Sequence, residues 1–224
     1  NDMSDQIKAM LEGKSALLLA ISHELRSPIT RMRVNLELLE PGEIQQKLID
    51  DLREMETLIA SILESEKLNT RHAPLARERC DMSSLVEEVI KDHPCRERIS
   101  TRLIPVEANL DPMRIKLMIK NLVDNACQHA GTDQGNIDIN LSLEQGAVSM
   151  EVQDRGPGLD PGDIPRLTEA FYRPDSSRQR NTGGYGLGLY LCKLIVDAHA
   201  GQITIESEPG NGTRVIVILP LDNS

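Results

Sequence analysis

The sequence predicts an α+β chain in two parts, a helical hairpin followed by an α/β sandwich. Three observations predict it. Residues 1–69 carry a helical apolar period and no strand pattern. The stretch Thr70-Arg71-His72-Ala73-Pro74 then loses that period and reads as a linker, which sets domains at 1–73 and 74–224. Beyond it, helix and strand signals mix without the strict alternation of a βαβ array, so the sheet is expected to be mostly antiparallel.

In the first part, Leu18, Ile21, Leu25, Met32, Leu36 and Leu39 advance mostly in steps of three and four. Pro41-Gly42 stops that helix and reverses the chain. The return helix repeats the period in Leu48, Leu52, Met55, Ile59 and Ile62. Two helices with such seams form an antiparallel hairpin. A hairpin alone has too little core to stand, so two copies are expected to pair into a dimeric four-helix bundle.

In the second part, Ser84-Leu85-Val86-Glu87 reads as a capping box opening a short helix. Asp111-Pro112 opens another, running to about Ala130, with proline in the first turn. Strands follow at about 136–143 and 147–153, where Val148, Met150 and Val152 alternate with polar residues. A helix at about 187–199 ends at Gly201. Gln202–Ser207 and Thr213–Leu219 are the last strands, joined by Pro209-Gly210-Asn211-Gly212.

Composition narrows the function. The chain has 224 residues, a net charge of −10 and 2% aromatic residues with no Trp. That acidic balance argues against binding a phosphate backbone, and stacking platforms for single strands are missing, so no nucleic-acid partner is expected. No run approaches the roughly 20 apolar residues that span a bilayer, so no membrane contact by these residues is expected. Cys80, Cys95, Cys127 and Cys192 form no C-x-x-C pair, so inert thiols are expected rather than a disulfide framework or a zinc site. Gly13-Lys14-Ser15 fails as a P-loop because Lys8 stands where glycine is required, and His23-Glu24 fails as a zinc-protease helix because Ser27 replaces the second histidine.

Four features remain that could carry chemistry. His23 points about 175° away from the apolar seam at 100° per residue, so it is outward. Glu24 is adjacent, Ser27 lies one turn along, and Pro28, lacking an N–H, crowds the Glu24 carbonyl and interrupts the helix. Asn121, Asn125 and His129 are spaced i, i+4, i+8 and form one polar stripe. Asp154-Arg155-Gly156-Pro157-Gly158 puts a carboxylate at a strand end beside a glycine turn. Gly183-Gly184-Tyr185-Gly186-Leu187-Gly188 opens a helix without a preceding strand, which disfavours a dinucleotide but suits phosphates at a helix N-terminus. Each has a bland reading as surface, turn or cap.

In this order, the features resemble the sensor histidine kinases of bacterial two-component systems over essentially the whole chain. The residues that carry the resemblance are Ile21-Ser22-His23-Glu24-Leu25-Arg26-Ser27-Pro28, Asn121-Leu122-Val123-Asp124-Asn125-Ala126 and Asp154-Arg155-Gly156-Pro157-Gly158-Leu159. Phe171-Tyr172-Arg173-Pro174-Asp175 and Gly184-Tyr185-Gly186-Leu187-Gly188-Leu189 complete the set. The resemblance implies a Bergerat-type (GHKL) sandwich that binds ATP and Mg²⁺. It makes His23 the phospho-acceptor, Glu24 its proton acceptor, and Arg173 a stabiliser of γ-phosphoryl charge. Asp154 meets the adenine amine, with Gly156 and Gly158 giving close approach. Asn125 ligates Mg²⁺, Asn121 supports the phosphates and His129 lies near the nucleotide. Gly184, Gly186, Leu187 and Gly188 border the nucleotide at the end of a mobile lid over about 171–185, and Thr213 lies at the third glycine turn.

The resemblance further implies a homodimer, transfer from His23 to an aspartate of a response regulator, and hydrolysis of that phosphoaspartate aided by Glu24 and Ser27. It implies that these residues are the cytoplasmic portion of a membrane-anchored protein. Ser27 departs from the commoner threonine, Tyr185 from a small residue, and Gln128 from a frequent lysine. A non-kinase ATPase and a catalytically silent dimeric scaffold on the same fold are the alternatives.

Overall fold

A computed structural model of the chain describes residues 24–25, 27–69, 75–130, 136–144, 146–174 and 185–221. The chain divides into two compact units, Asn1–Ala73 and Pro74–Ser224. The expected linker at 70–74, the seam positions Leu18 and Ile21, and His23, Arg26 and Gly184 lie outside the described residues.

In the first unit, helical backbone at 24–25 and 27–37 (α1) is followed by a turn and by α2, Glu43–Asn69. Helical backbone is present at 24–25 and again from 27 to 37, so the interruption expected at Pro28 does not terminate the helix. The end of α1 falls before Pro41-Gly42 and is capped from across the turn. Gln45 Nε2 donates to the Leu36 carbonyl at 2.6 Å and the Leu39 carbonyl at 3.3 Å. Arg33 and Glu56 add an ion pair between the helices at 3.6 Å.

The second unit begins with β1 (Glu78–Asp81) and α3 (Met82–Lys91), then β2 (Ile99–Arg102) and β3 (Glu107–Leu110). After these come α4 (Pro112–His129), β4 (Ile137–Glu144), β5 (Ala147–Gln153), α5 (Gly188–Ala198), β6 (Gln202–Glu208) and β7 (Gly212–Pro220). The main sheet runs β2-β4-β5-β7-β6, antiparallel except for the parallel β2–β4 edge, and β1 and β3 make a separate ribbon. Cross-strand rows such as Ile139, Val152 and Val215, or Leu141, Met150 and Val217, set one face apolar by strict alternation. That face is buried, and α4, flanked by α3 and α5, supplies Ile115, Met118, Ile119, Leu122 and Val123 to the same core. Each such aliphatic side chain contributes roughly 1.5–3 kcal/mol of burial, which fixes α4 and thereby the polar stripe on its other side.

Two expectations need correction. Helix α3 starts at Met82, so Ser84 and Glu87 lie inside it and do not form its capping box. Asp81 is the N-cap: its carboxylate accepts from the Ser83 N–H at 3.1 Å, the Ser83 and Ser84 hydroxyls at 2.7 and 2.9 Å, and the Val106 N–H at 3.0 Å. A carboxylate that collects four donors outcompetes a serine that offers one acceptor. The cysteines are not all independent thiols either. Cys95 and Cys127 are joined as a disulfide, with Cα atoms 6.3 Å apart. The turn after α3 folds back on α4, an encounter that sequence spacing does not reveal.

Candidate nucleotide site

The C-terminal half of α4, the β5 exit, the β6–β7 turn and the start of α5 converge. Helix α4 is held in place from its first turn. Asp111 caps it through the Arg114 N–H at 3.2 Å and also accepts from the Ala76 N–H at 3.0 Å. The Asp111 N–H donates to Nε2 of fully buried His199 at 3.0 Å, while His199 Nδ1 bonds the Ile195 carbonyl at 2.8 Å. Burial therefore holds that imidazole neutral, its pKa below the ordinary value.

Asp154 follows β5 and is buried. Its Oδ1 accepts from the Gly156 N–H at 2.8 Å and the Thr213 N–H at 3.2 Å, and its own N–H donates to the Thr213 carbonyl at 2.9 Å. Oδ2 makes no hydrogen bond among the described residues. Burial pushes the Asp154 carboxyl above the ordinary carboxylate range, partly offset by the two backbone N–H groups and by nearby His129. The acid is thus fixed in direction by one oxygen and presents the other.

Two glycines are required for this closeness. A side chain at Gly156 would collide with the His129 carbonyl, and one at Gly212, where φ is +82°, with the Asp154 carbonyl. Ser207, which the sequence did not single out, ties the loop to the hairpin. Its hydroxyl accepts from the Leu159 N–H at 2.9 Å, donates to the Gly212 carbonyl at 2.8 Å and lies 3.0 Å from the Thr213 hydroxyl. The signal that could have found it is its pairing opposite Thr213 across β6–β7.

On α4, Asn121, Asn125 and His129 are all half-buried. Asn121 Nδ2 donates to the Leu117 carbonyl at 2.8 Å, which turns its Oδ1 toward Gly188, where an added Cβ would lie 3.2 Å away. The Asn125 side chain makes no hydrogen bond among the described residues. Helix α5 begins at Gly188 with Leu187 in the N-cap position and no side-chain cap. First-turn N–H groups of a helix have no intrahelical partner, and a start without a side-chain cap is the kind that receives an anion. Gly186 adopts φ +69°, and its carbonyl accepts from the Phe171 N–H at 3.0 Å, so residues 171 and 186 are bridged.

Arg173 lines an open depression of about 330 Å³ with Asp163, Arg166, Glu169 and Tyr172, in which Tyr172 bonds Asp163 and Arg166 lies 4.0 Å over the Tyr172 ring. Glu24 and Ser27 are exposed on α1 of the first unit, where the Ser27 hydroxyl accepts from Arg31 at 3.2 Å.

A buried acid beside a glycine loop, next to an asparagine-lined helix and an uncapped helix start, defines the nucleotide-binding class of ATPase folds. Residues 110–223 match the family described as histidine kinase-, DNA gyrase B-, and HSP90-like ATPase, and residues 14–71 match the His Kinase A phospho-acceptor domain. The chain belongs to this family as a sensor histidine kinase.

Sensor histidine kinase GtrS of Pseudomonas aeruginosa is 32% identical over 223 residues, covering 98% of this chain and 45% of the relative. Sensor protein kinase WalK of Staphylococcus epidermidis is 29% identical over 220 residues, 90% of this chain and 36% of the relative. The chain thus spans less than half of either. Full-length ShkA, solved with AMPPNP, has the same fold at a TM-score of 0.72 and 24% identity, over 93% of this chain and 46% of that one. The catalytic domain of histidine kinase ThkA matches with a TM-score of 0.55 at 25% identity, over 65% of this chain and 95% of that domain.

Proposed function

We propose that the protein phosphorylates His23 with ATP and passes the phosphoryl group to an aspartate of a response regulator. The observation that carries this reading is Asp154, a desolvated carboxylate with one oxygen fixed by two backbone N–H groups and the other without a hydrogen bond among the described residues. An exocyclic adenine amine is a donor suited to that second oxygen. Gly156 and Gly158 let the ring approach, and Asn121, Gly184, Gly186, Leu187 and Gly188 border the phosphates, with the first turn of α5 supplying positive dipole. His129 and Thr213 complete the wall around the base.

Asn125 fits Mg²⁺: a carboxamide oxygen is a hard donor, and Mg²⁺ commonly takes one or two protein ligands alongside phosphate oxygens and water. When bound, the ion neutralises charge on the transferring group. The chain's own residues do the rest. One ring nitrogen of His23 forms a bond to the γ-phosphorus as the bond to the ADP oxygen breaks, while Glu24 takes the proton from the other ring nitrogen. Arg173 stabilises charge on the equatorial oxygens.

The exposed seam of the hairpin supports a homodimer, and its His23 face is where a response regulator docks. Glu24 and Ser27 orient water for hydrolysis of the regulator's phosphoaspartate, and Ser27→Ala is expected to lower that hydrolysis while sparing labelling of His23.

The deciding experiment incubates the protein with γ-labelled ATP and Mg²⁺ beside His23→Gln. The expected result is an acid-labile, alkali-stable label that vanishes in the variant. Label persisting in His23→Gln would overturn the acceptor, and tight ATP binding without label would favour an ATPase or a scaffold.

A further inference from the structure

The Cys95–Cys127 pair lies outside the nucleotide site but grips the helix that carries it. Cys127 is two residues beyond Asn125 on α4. The segment 93–98 holds the same helix end at three points. His93 Nε2 lies 2.9 Å from Asp124 Oδ1, Cys95 is bonded to Cys127, and Arg98 donates to the Ala130 carbonyl at 3.5 Å. The Cys95 N–H donates to His93 Nδ1 at 3.1 Å, so the imidazole proton sits on Nε2 and faces Asp124. On the opposite side, the His129 carbonyl packs so closely on Gly156 that no side chain fits between them. The last turn of α4 is therefore clamped between the disulfide segment and the loop that orients Asp154.

The four cysteines differ in reach. Cys192 is fully buried, and burial pushes its thiol far up. Cys80 is also raised, chiefly by burial. Cys95 and Cys127 are half-buried, as Cys80 is, but they alone of the four lie within bonding reach of each other, and their Cα separation suits a bond without backbone movement. We infer that Cys95 and Cys127 form a reversible thiol–disulfide pair whose bonded state fixes the C-terminal turn of α4 and tightens nucleotide binding. Oxidation removes two electrons and two protons from the two thiols and passes them to a small-molecule disulfide, which leaves as two thiols. Exchange with excess thiol runs the reaction backwards. His93 is a positioning residue that keeps the Cys95 turn against Asp124 when the bond is open. The inference rests on the nucleotide reading of the Asp154 site.

The test poises the 224-residue chain in mixtures of oxidised and reduced dithiothreitol. Alkylation followed by peptide mapping reads the bond, and calorimetric titration with ATP reads the Kd. The expected result is a Cys95–Cys127 peptide that appears and disappears reversibly, with ATP bound about threefold or more tighter in the oxidised form because the helix end is pre-ordered. Cys95→Ser should bind ATP as the reduced wild type does and ignore the redox buffer, while Cys80→Ser should respond like wild type. Equal affinity in both states of a mapped disulfide would overturn the coupling. Failure to form the bond, or stoichiometric zinc held by His93, Cys95 and Cys127 in the purified chain, would overturn the switch itself. A reversible bond with no ATP binding in either state would instead overturn the nucleotide reading.

Discussion

The two units bury their apolar residues to very different degrees. In the sandwich, Met118, Ile119 and Val123 of α4 and Val217 of β7 are completely covered. In the hairpin, the seam residues Leu39, Leu48 and Met55 remain 52%, 43% and 44% exposed, while Leu52 and Ile29 are buried. One sheet face and three helices close a core by themselves, whereas two helices share one line of contact and leave apolar side chains uncovered among the described residues. The sandwich closes a core of its own, and the proposed homodimer would cover what the hairpin leaves exposed. Chemistry that needs a rigid, dry pocket belongs in the first, and a surface that must meet partners belongs in the second.

The largest expected effect breaks the comparison directly. Ile119→Ala should cost the sandwich about 2–5 kcal/mol, read as a lower denaturant midpoint that does not depend on protein concentration. Leu48→Glu with Met55→Glu should leave that midpoint in place and convert the protein from dimer to monomer in sedimentation. A double variant that stays dimeric would mean that the exposed seam is not the interface.

Next is the carboxylate that the closed core makes possible. Asp154→Asn keeps an acceptor for the Gly156 and Thr213 N–H groups but loses the charge offered to the base. Charge-assisted hydrogen bonds contribute about 1.5–3 kcal/mol, so ATP affinity should fall on the order of tenfold to a hundredfold with the fold intact. Because burial raises the Asp154 carboxyl, the native folded state takes up its proton at a higher pH than an unfolded chain does. ATP binding, which uses the ionised form, should therefore weaken on acidification before an ordinary carboxylate would titrate, and Asp154→Asn should lose that pH dependence. Calorimetry across mildly acidic pH checks both.

What the sequence disclosed follows from the range of the interactions. Strands β4, β5, β6 and β7 and helices α4 and α5 were legible because their alternation or period is strong over seven or more residues. The four-residue strands β1, β2 and β3 were not, since Glu78-Arg79-Cys80-Asp81 has no alternation to read and exists through pairing with Glu107–Leu110. The site residues Asp154 and Gly156 sit in one local motif, so they could be singled out. The Thr213 N–H reaches Asp154 from 59 positions away, because β7 lies beside β5 in register. The Ser207 bond to Leu159 and the Cys95–Cys127 bond span 48 and 32 positions, to which local spacing is blind.

The smallest expected effect separates local from long-range support within the sandwich. Asp81 caps α3 and ties it to Val106 in the connection to β3, so Asp81→Ala should cost about 1–2 kcal/mol at neutral pH, near the upper end for a cap. Its carboxyl is held below the ordinary range, first by the Ser83 hydroxyl and then by the Ser84 hydroxyl and the Val106 and Ser83 N–H groups, against an opposing push from burial. A depressed acid contributes stability that is complete above the unfolded carboxylate pKa and is lost as pH falls through the folded one. The deficit of Asp81→Ala should therefore be full at neutral pH and shrink in acid, where the wild type loses the same charge. Urea titrations at neutral and acidic pH measure it. A deficit unchanged by pH would mean that Asp81 acts through packing, and that α3 takes its support from Leu85, Val86 and Ile90 alone.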